Sequence, residues 1–130
     1  MREILFRGKH MHVCPENKHL DGTWVEGYLE DENHINDGKC EFLIDPETIC
    51  QYTGLTDKNG KKIWENDICD RKEQYPEIVK YRDGDWTLDY SYVSHKESGV
   101  CCCNLGFYVR ERKCIEVIGN IFDNPELLEV

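Results

Sequence analysis

No run of apolar residues in this chain approaches the length that a bilayer-spanning helix needs, which excludes insertion by such a helix. The opening MREILFRGKH is charged and lacks the apolar segment of a secretory signal, so a cytoplasmic location is expected. Basic charge is scarce: 16 Lys and Arg stand against 26 Asp and Glu, for a formal net charge of −10. That balance argues against simple phosphate-backbone binding, which needs clustered cations. The glycines Gly8, Gly22 and Gly27 are scattered and build no phosphate loop. Internal repeats, low-complexity tracts and long helical patterns are missing as well. Many short strands, few helical patterns and no alternation of strands with long helices favour a mainly β barrel or sandwich.

What the chain does have is a succession of short strand signals separated by turn residues. Its 130 residues fit one domain. Ile4, Leu5 and Phe6 make the first apolar run. Residues 10–21 read as a polar loop. Trp24 to Leu29 alternates, with Trp24, Glu26 and Tyr28 on one face and Val25, Gly27 and Leu29 on the other, the pattern of a half-buried strand. Residues 30–37 read as an acidic loop or turn, and Phe42 to Ile44 as the next strand. Glu77 to Tyr81 and Trp86 to Val93 read as strands joined by a hairpin at Asp83-Gly84. Strand is also favoured over 100–109 and 114–118. Asn124 followed by Pro125 predicts the N-terminus of a short last helix whose Leu127 and Leu128 dock on the barrel.

The centre of the chain is PETICQYTGLTDKNGKKIWENDI. Asp45-Pro46 breaks the preceding run, Ile49 to Tyr52 reads as a strand, and Asn59-Gly60 supplies the positive φ of a tight hairpin. Turn chemistry alone accounts for every residue type there, so a scaffold role needs no ligand. This run resembles the signature of the YopX-like proteins, carried here by Gln51, Tyr52, Thr53, Gly54, Leu55, Asp57, Asn59, Gly60 and Asp67. Met1 to Gly8 is similar to the family's opening. Val117 to Leu128, with Gly119, Asn120 and Pro125, is similar to its close. Asn66 stands where the family usually has Gly and Cys69 where Val is common; Asn tolerates positive φ, so the turn survives. The resemblance covers essentially the whole chain and implies a phage- or prophage-encoded protein. It also implies a mainly β fold: an SH3-like β-barrel core over about residues 1–93, with α+β additions and a short C-terminal helix over about 94–130.

Candidate chemistry is thin. Eight cysteines in a cytoplasmic protein are expected to be reduced thiols. Cys101, Cys102 and Cys103 are adjacent, and on a strand Cys101 and Cys103 would share a face. Together with His10, His12, Cys14 and His19 they are weak metal candidates, because the paired Cys-x2–4-Cys spacing of structural zinc sites is absent. No cofactor is expected. His34 and His95 are available as bases, yet nothing local pairs either with a cysteine, and the acidic pairs sit in turns where Asp is favoured anyway. The expectation is a protein without catalytic activity.

Trp24, Tyr28, Tyr52, Trp64, Trp86, Tyr90 and Tyr92 supply more large aromatics than one face of a small barrel must bury. They either fill the core or anchor an interface, and Trp24, Tyr28, Trp64, Trp86 and Tyr90 are the interface candidates. Three functions follow, in descending order. The first is an accessory protein that self-associates as a homo-oligomer or grips a phage or host protein. The second is nucleic-acid binding through Lys58, Lys61 and Lys62 joined to Arg2, Arg7 and Lys9, or nucleic-acid mimicry through the acids. The third is a thiol or metal protein. The bland alternative for both basic groups is a solvated hairpin tip and a solvated edge strand.

Overall fold

The structure, a computed structural model, describes residues 4–11, 22–72, 75–93 and 103–129. Residues His12, Cys14, His19 and Cys101, and the side chain of Cys103, lie outside that description. Chain contacts divide the protein into two compact units, Met1–Tyr52 and Thr53–Val130. Both are mainly β.

In the first unit, β1 (Phe6–Lys9), β2 (Trp24–Asp31), β3 (His34–Asn36) and β4 (Glu41–Leu43) follow one another in antiparallel register. The period-2 pattern turns Val25, Ile35 and Ile44 inward, and Phe6, Leu29, Phe42 and Ile49 pack around them. Gly8 and Gly27 are required by close approach. A Cβ on Gly8 would sit 2.3 Å from Ile44 Cγ2, and one on Gly27 would sit 2.1 Å from the backbone oxygen of Asn36. The stretch expected to be an acidic loop or turn holds a turn at Glu32-Asn33, with strand on both sides of it as a tight β2–β3 hairpin. Asp31 braces its turn, accepting from the Asn33 backbone N–H at 2.8 Å and holding His34 Nδ1 at 2.9 Å. Asp45 then starts a 3₁₀ turn, Pro46–Thr48, by accepting from Glu47 N.

Strand β5 (Cys50–Thr56) runs through the division between the units. Gln51 and Cys50 pair with Phe6 and Arg7 of β1, and the strand continues to the hairpin that leads into β6 (Lys62–Trp64). That hairpin is the one the sequence places at Asn59-Gly60, with one difference. Gly60 takes φ +83, whereas Asn59 does not leave negative φ. Bonds from Gly60 N to Asp57 O and from Asp57 N to Lys61 O define a type I turn closed by a bulged glycine.

At Glu65-Asn66 the chain leaves this sheet; Asn66 adopts φ 70, the conformation that the family's glycine would supply. The second sheet contains β7 (Asp67–Asp70), β8 (Glu77–Arg82), β9 (Asp85–Asp89), β10 (Cys103–Asn104) and β11 (Glu116–Asn120), in the order β10-β9-β8-β7-β11. Asp83 and Gly84 both take positive φ, making the two-residue turn expected between β8 and β9. Ile63, Cys69, Val79, Trp86, Leu88, Leu105, Ile115 and Val117 form the core of this unit.

Three expectations are corrected. A closed barrel is not formed: among the described residues the sheets are open, one running β4-β3-β2-β1-β5-β6 and the other ending at β10 and β11. The strand expected over 100–109 is present among the described residues only at Cys103–Asn104; residues 105–112 are helical, because Asn104 Oδ1 accepts from the Phe107 N–H at 2.8 Å and starts helix α1 (Leu105–Phe107) and the wider turn Tyr108–Arg112. The last helix is a single 3₁₀ turn, Pro125–Leu128, and Asn124 does not cap it. The Asn124 side chain bonds backward to Asn120 N at 3.2 Å, and Leu127 and Leu128 are half-buried. Among the described residues no helix is long and apolar enough to cross a membrane.

Candidate interaction surface

The alternation that turns Val25 and Leu29 inward sends Trp24, Glu26, Tyr28 and Glu30 to the opposite face of β2. On β1 the same rule sends Arg7 and Lys9 outward, opposite Glu26 and Trp24 in register. The Arg7 guanidinium carbon lies 4.3 Å from the centroid of the Trp24 ring and Lys9 Nζ lies 5.4 Å from it. Arg7, Lys9 and Trp24 are half-buried, and each such cation–π contact is worth about 0.5–2 kcal/mol, enough to fix the indole's orientation. Tyr28 is 52% exposed on the same face.

Beyond Tyr28 the face becomes acidic. Asn36 faces Tyr28 from one side and Glu41 from the other, and its Nδ2 donates to Glu30 Oε1 at 2.7 Å. Glu30 and Glu41 lie close enough for the carboxyl of one, when protonated, to hydrogen-bond the carboxylate of the other. That bond, with help from Asn36, holds Glu30 below the usual carboxylate range. The same bond and the charge of Glu30 push Glu41 above it. Beside them, the Asp31 carboxylate raises the His34 imidazole by accepting its N–H. Asp31 itself is lowered, first by the Asn33 N–H and then by His34. The outer face of the first sheet therefore runs from cations around an indole, past an exposed phenol, to crowded carboxylates.

Other sequence candidates fall elsewhere. Trp64 and Trp86 are 2% and 6% exposed, so they serve the interior and are unavailable as interface anchors. Tyr90 is half-buried after β9. Tyr81, which the sequence did not single out, is exposed and meets Trp86 edge-on at 4.9 Å. Arg7 and Lys9 do not lie on an edge strand, since β1 sits between β2 and β5. Lys58, Lys61 and Lys62 are exposed around the hairpin, and Lys58 Nζ approaches Glu116 Oε1 at 3.7 Å. His10 is buried edge-on against Phe42 at 4.9 Å. Among the described residues, no group of three or more His, Cys, Asp or Glu is arranged to hold a metal. Cys50 and Cys69 are buried thiols, and burial followed by the nearby Asp67 pushes Cys69 well above its ordinary value.

The signature residues form a lock in the second unit. Asp57, 6% exposed, accepts from Asn59 N and Lys61 N with Oδ1 and from Val117 N with Oδ2, each at 2.9 Å. Burial alone would raise this carboxyl, yet those three N–H groups hold it below the usual range. Lys58 N completes the tie by donating to Ile115 O. Asp67 Oδ2 accepts from Trp64 N at 2.8 Å, and Thr53 Oγ1 donates to Ile63 O at 2.7 Å. Asn120 Oδ1 accepts from Phe122 N and Asp123 N. Gly119 leaves room for Asn124, whose Oδ1 would lie 2.5 Å from a Cβ there. Gly54 holds φ +85 inside β5, where a side chain would be strained.

The fold is similar to a solved structure, protein EF1440 from Enterococcus faecalis, with TM-score 0.55 and 23% identity over 99% of this chain and 100% of that one. No curated protein matches the chain. The family described as YopX protein matches residues 7–129, a span that takes in β1, the Asp57 lock and the Asn120–Asn124 turn alike. On that match the chain belongs to the YopX family.

Proposed function

We infer that this protein is a non-catalytic interaction module, in keeping with the phage or prophage accessory role that the resemblance implies, and that it works through the outer face of its first sheet. The observation that carries this reading is the row Trp24, Glu26, Tyr28 and Glu30. Folding requires only that the other face of β2 be apolar. The outward face nonetheless presents an indole held by Arg7 and Lys9 and a phenol that is 52% exposed. Tyr, Trp and Arg are the residues that dominate interface anchors, since they bring large contact area and directional donors together.

A photoreactive side chain at position 28, compared with one at Tyr81 of the second unit, tests the reading. Discrete protein adducts are expected from position 28, are absent at 81, and decline when Trp24 is changed to Ala. Equal labelling at both positions, or none at 28, would refute it.

A further inference from the structure

The outer face of the first sheet is unevenly charged, with two cations against the one carboxylate of Glu26 on one side of Tyr28 and the carboxylates of Glu30 and Glu41 on the other. Arg7 and Lys9 lie on β1 beside Glu26 and Trp24, while Glu30 and Glu41 lie past Tyr28 toward β3 and β4. Residues two apart on a strand are separated by about 6.6–6.8 Å, so the two charge groups are set well apart with Tyr28 between them. A surface of this kind is complementary to itself. Resting on the interaction reading above, we propose that the partner of this face is a second copy of the chain. The two copies are related by a two-fold axis in the plane of contact that passes close to Tyr28. Each copy's Arg7 and Lys9 then meet the other's Glu30 and Glu41.

Two features favour a second copy over an unrelated partner. A two-fold contact requires that residue i meet residue j and residue j meet residue i, which a face carrying both signs about a neutral aromatic centre satisfies. A uniformly acidic or basic partner would find one half of the face attractive and the other repulsive. In addition, Asn36 joins Glu30 and Glu41 on this face, donating to Glu30 and lying opposite Glu41 in register, so an incoming guanidinium or ammonium can bond both carboxylates. Tyr28 near the axis would stack on its own symmetry mate and supply the apolar centre that such contacts use.

Sedimentation equilibrium with paired charge reversals tests the proposal. The unaltered chain is expected to dimerise at tens of micromolar. The double variants R7E/K9E and E30K/E41K, each confirmed folded by circular dichroism, are expected to sediment as monomers. An equimolar mixture of the two should regain the dimer, because one complementary set of contacts is restored. Tyr28→Arg sets two like charges beside the axis and should weaken association at least tenfold, which gives a second route if a double variant fails to fold. An unaltered chain that stays monomeric at hundreds of micromolar overturns the proposal, as do variants that dimerise like the parent or a mixture that remains monomeric. Adducts to other proteins at position 28 from a monomeric chain would sink the self-pairing and keep the interaction reading. A monomer with no adducts there would sink both.

Discussion

In the second unit, Asp57, Asp67, Glu77 and Asp89 are buried, whereas in the first Glu30, Asp31 and Glu41 are exposed. Each buried acid has a fixed partner: backbone N–H groups for Asp57 and Asp67, Arg71 for Glu77 at 2.5 Å, and Arg82 with Ser91 N for Asp89. The exposed acids make short-range contacts with one another and with His34 and Asn36. The difference separates two uses of charge. A carboxylate taken out of water must be fully bonded, so it fixes one backbone arrangement. A carboxylate left in water stays exchangeable between internal and external partners, which suits a surface that meets something else.

The sharpest way to break the comparison is to remove one acid from each unit. Asp57→Ala leaves three backbone N–H groups without their acceptor in a nearly closed site. At about 1–3 kcal/mol for each unsatisfied buried donor, a loss of at least about 3 kcal/mol is expected in urea denaturation. Asp31→Ala should leave the denaturation midpoint almost unmoved, because water replaces the lost acceptor. Acid sharpens the same contrast. Asp57 is lowered in the folded state, so its contribution is fully present above the unfolded value near 3.9 and is lost as pH falls through the folded one. The Asp57→Ala variant should therefore show a shallower loss of stability below about pH 4. A variant as stable as the parent would mean that the lock is ornamental.

Much of this lock was legible in the sequence. Asp57, Asn59 and Gly60 were read as a hairpin from turn chemistry, and Asp83-Gly84 likewise. Both hairpins are present, because φ preferences at these positions act over a few residues. The reach of Asp57 to Val117, sixty positions away, was not legible, since no local rule states which distant N–H a carboxylate will find. The same limit hid the burial of Trp64 and Trp86. Aromatic content says how much area needs cover and is silent about which side chain receives it. The interaction face was half visible. Alternation in β2 places Trp24 and Tyr28 together, whereas an acidic loop or turn over residues 30–37 does not say which carboxylates share that face. The facing depends on where the turn falls, and the bond from Asn33 N to Asp31 that braces it is not announced by acidic composition alone.

The glycines provide a smaller test between the units. Gly27→Ala would drive a Cβ to 2.1 Å from the backbone oxygen of Asn36, and β3 has to move as a whole. A cost of about 1–3 kcal/mol is expected. Gly119→Ala meets the Asn124 side chain first; its amide can swing away at the loss of its bond to Asn120 N, while its Cβ at 2.9 Å needs a small shift of the turn, at about 1 kcal/mol. Thermal denaturation of both variants should rank them in that order. The reverse ranking would show that the C-terminal turn, rather than β2–β3 contact, is the less yielding element. Lys58→Ala breaks an ion pair whose partners are both more than a third exposed, and a change within about 0.5 kcal/mol is expected.

The smallest effect belongs to His34. Its imidazole is raised by the bond to Asp31, so what this pair adds to the β2–β3 hairpin is fully present below the unfolded value near 6.5. It is lost as pH rises through the higher folded value. Asp31 is lowered, and its share is lost only in acid. Between those limits the pair is ionic, and the hairpin that carries Glu30 and Asn36 is held most firmly. Amide exchange at Asn33 should therefore quicken as pH climbs above neutrality by more than the intrinsic base-catalysed increase, and His34→Gln should abolish the excess. Exchange that follows the intrinsic curve in both proteins would show that the turn is held by the Asp31 to Asn33 bond alone, with the imidazole a bystander.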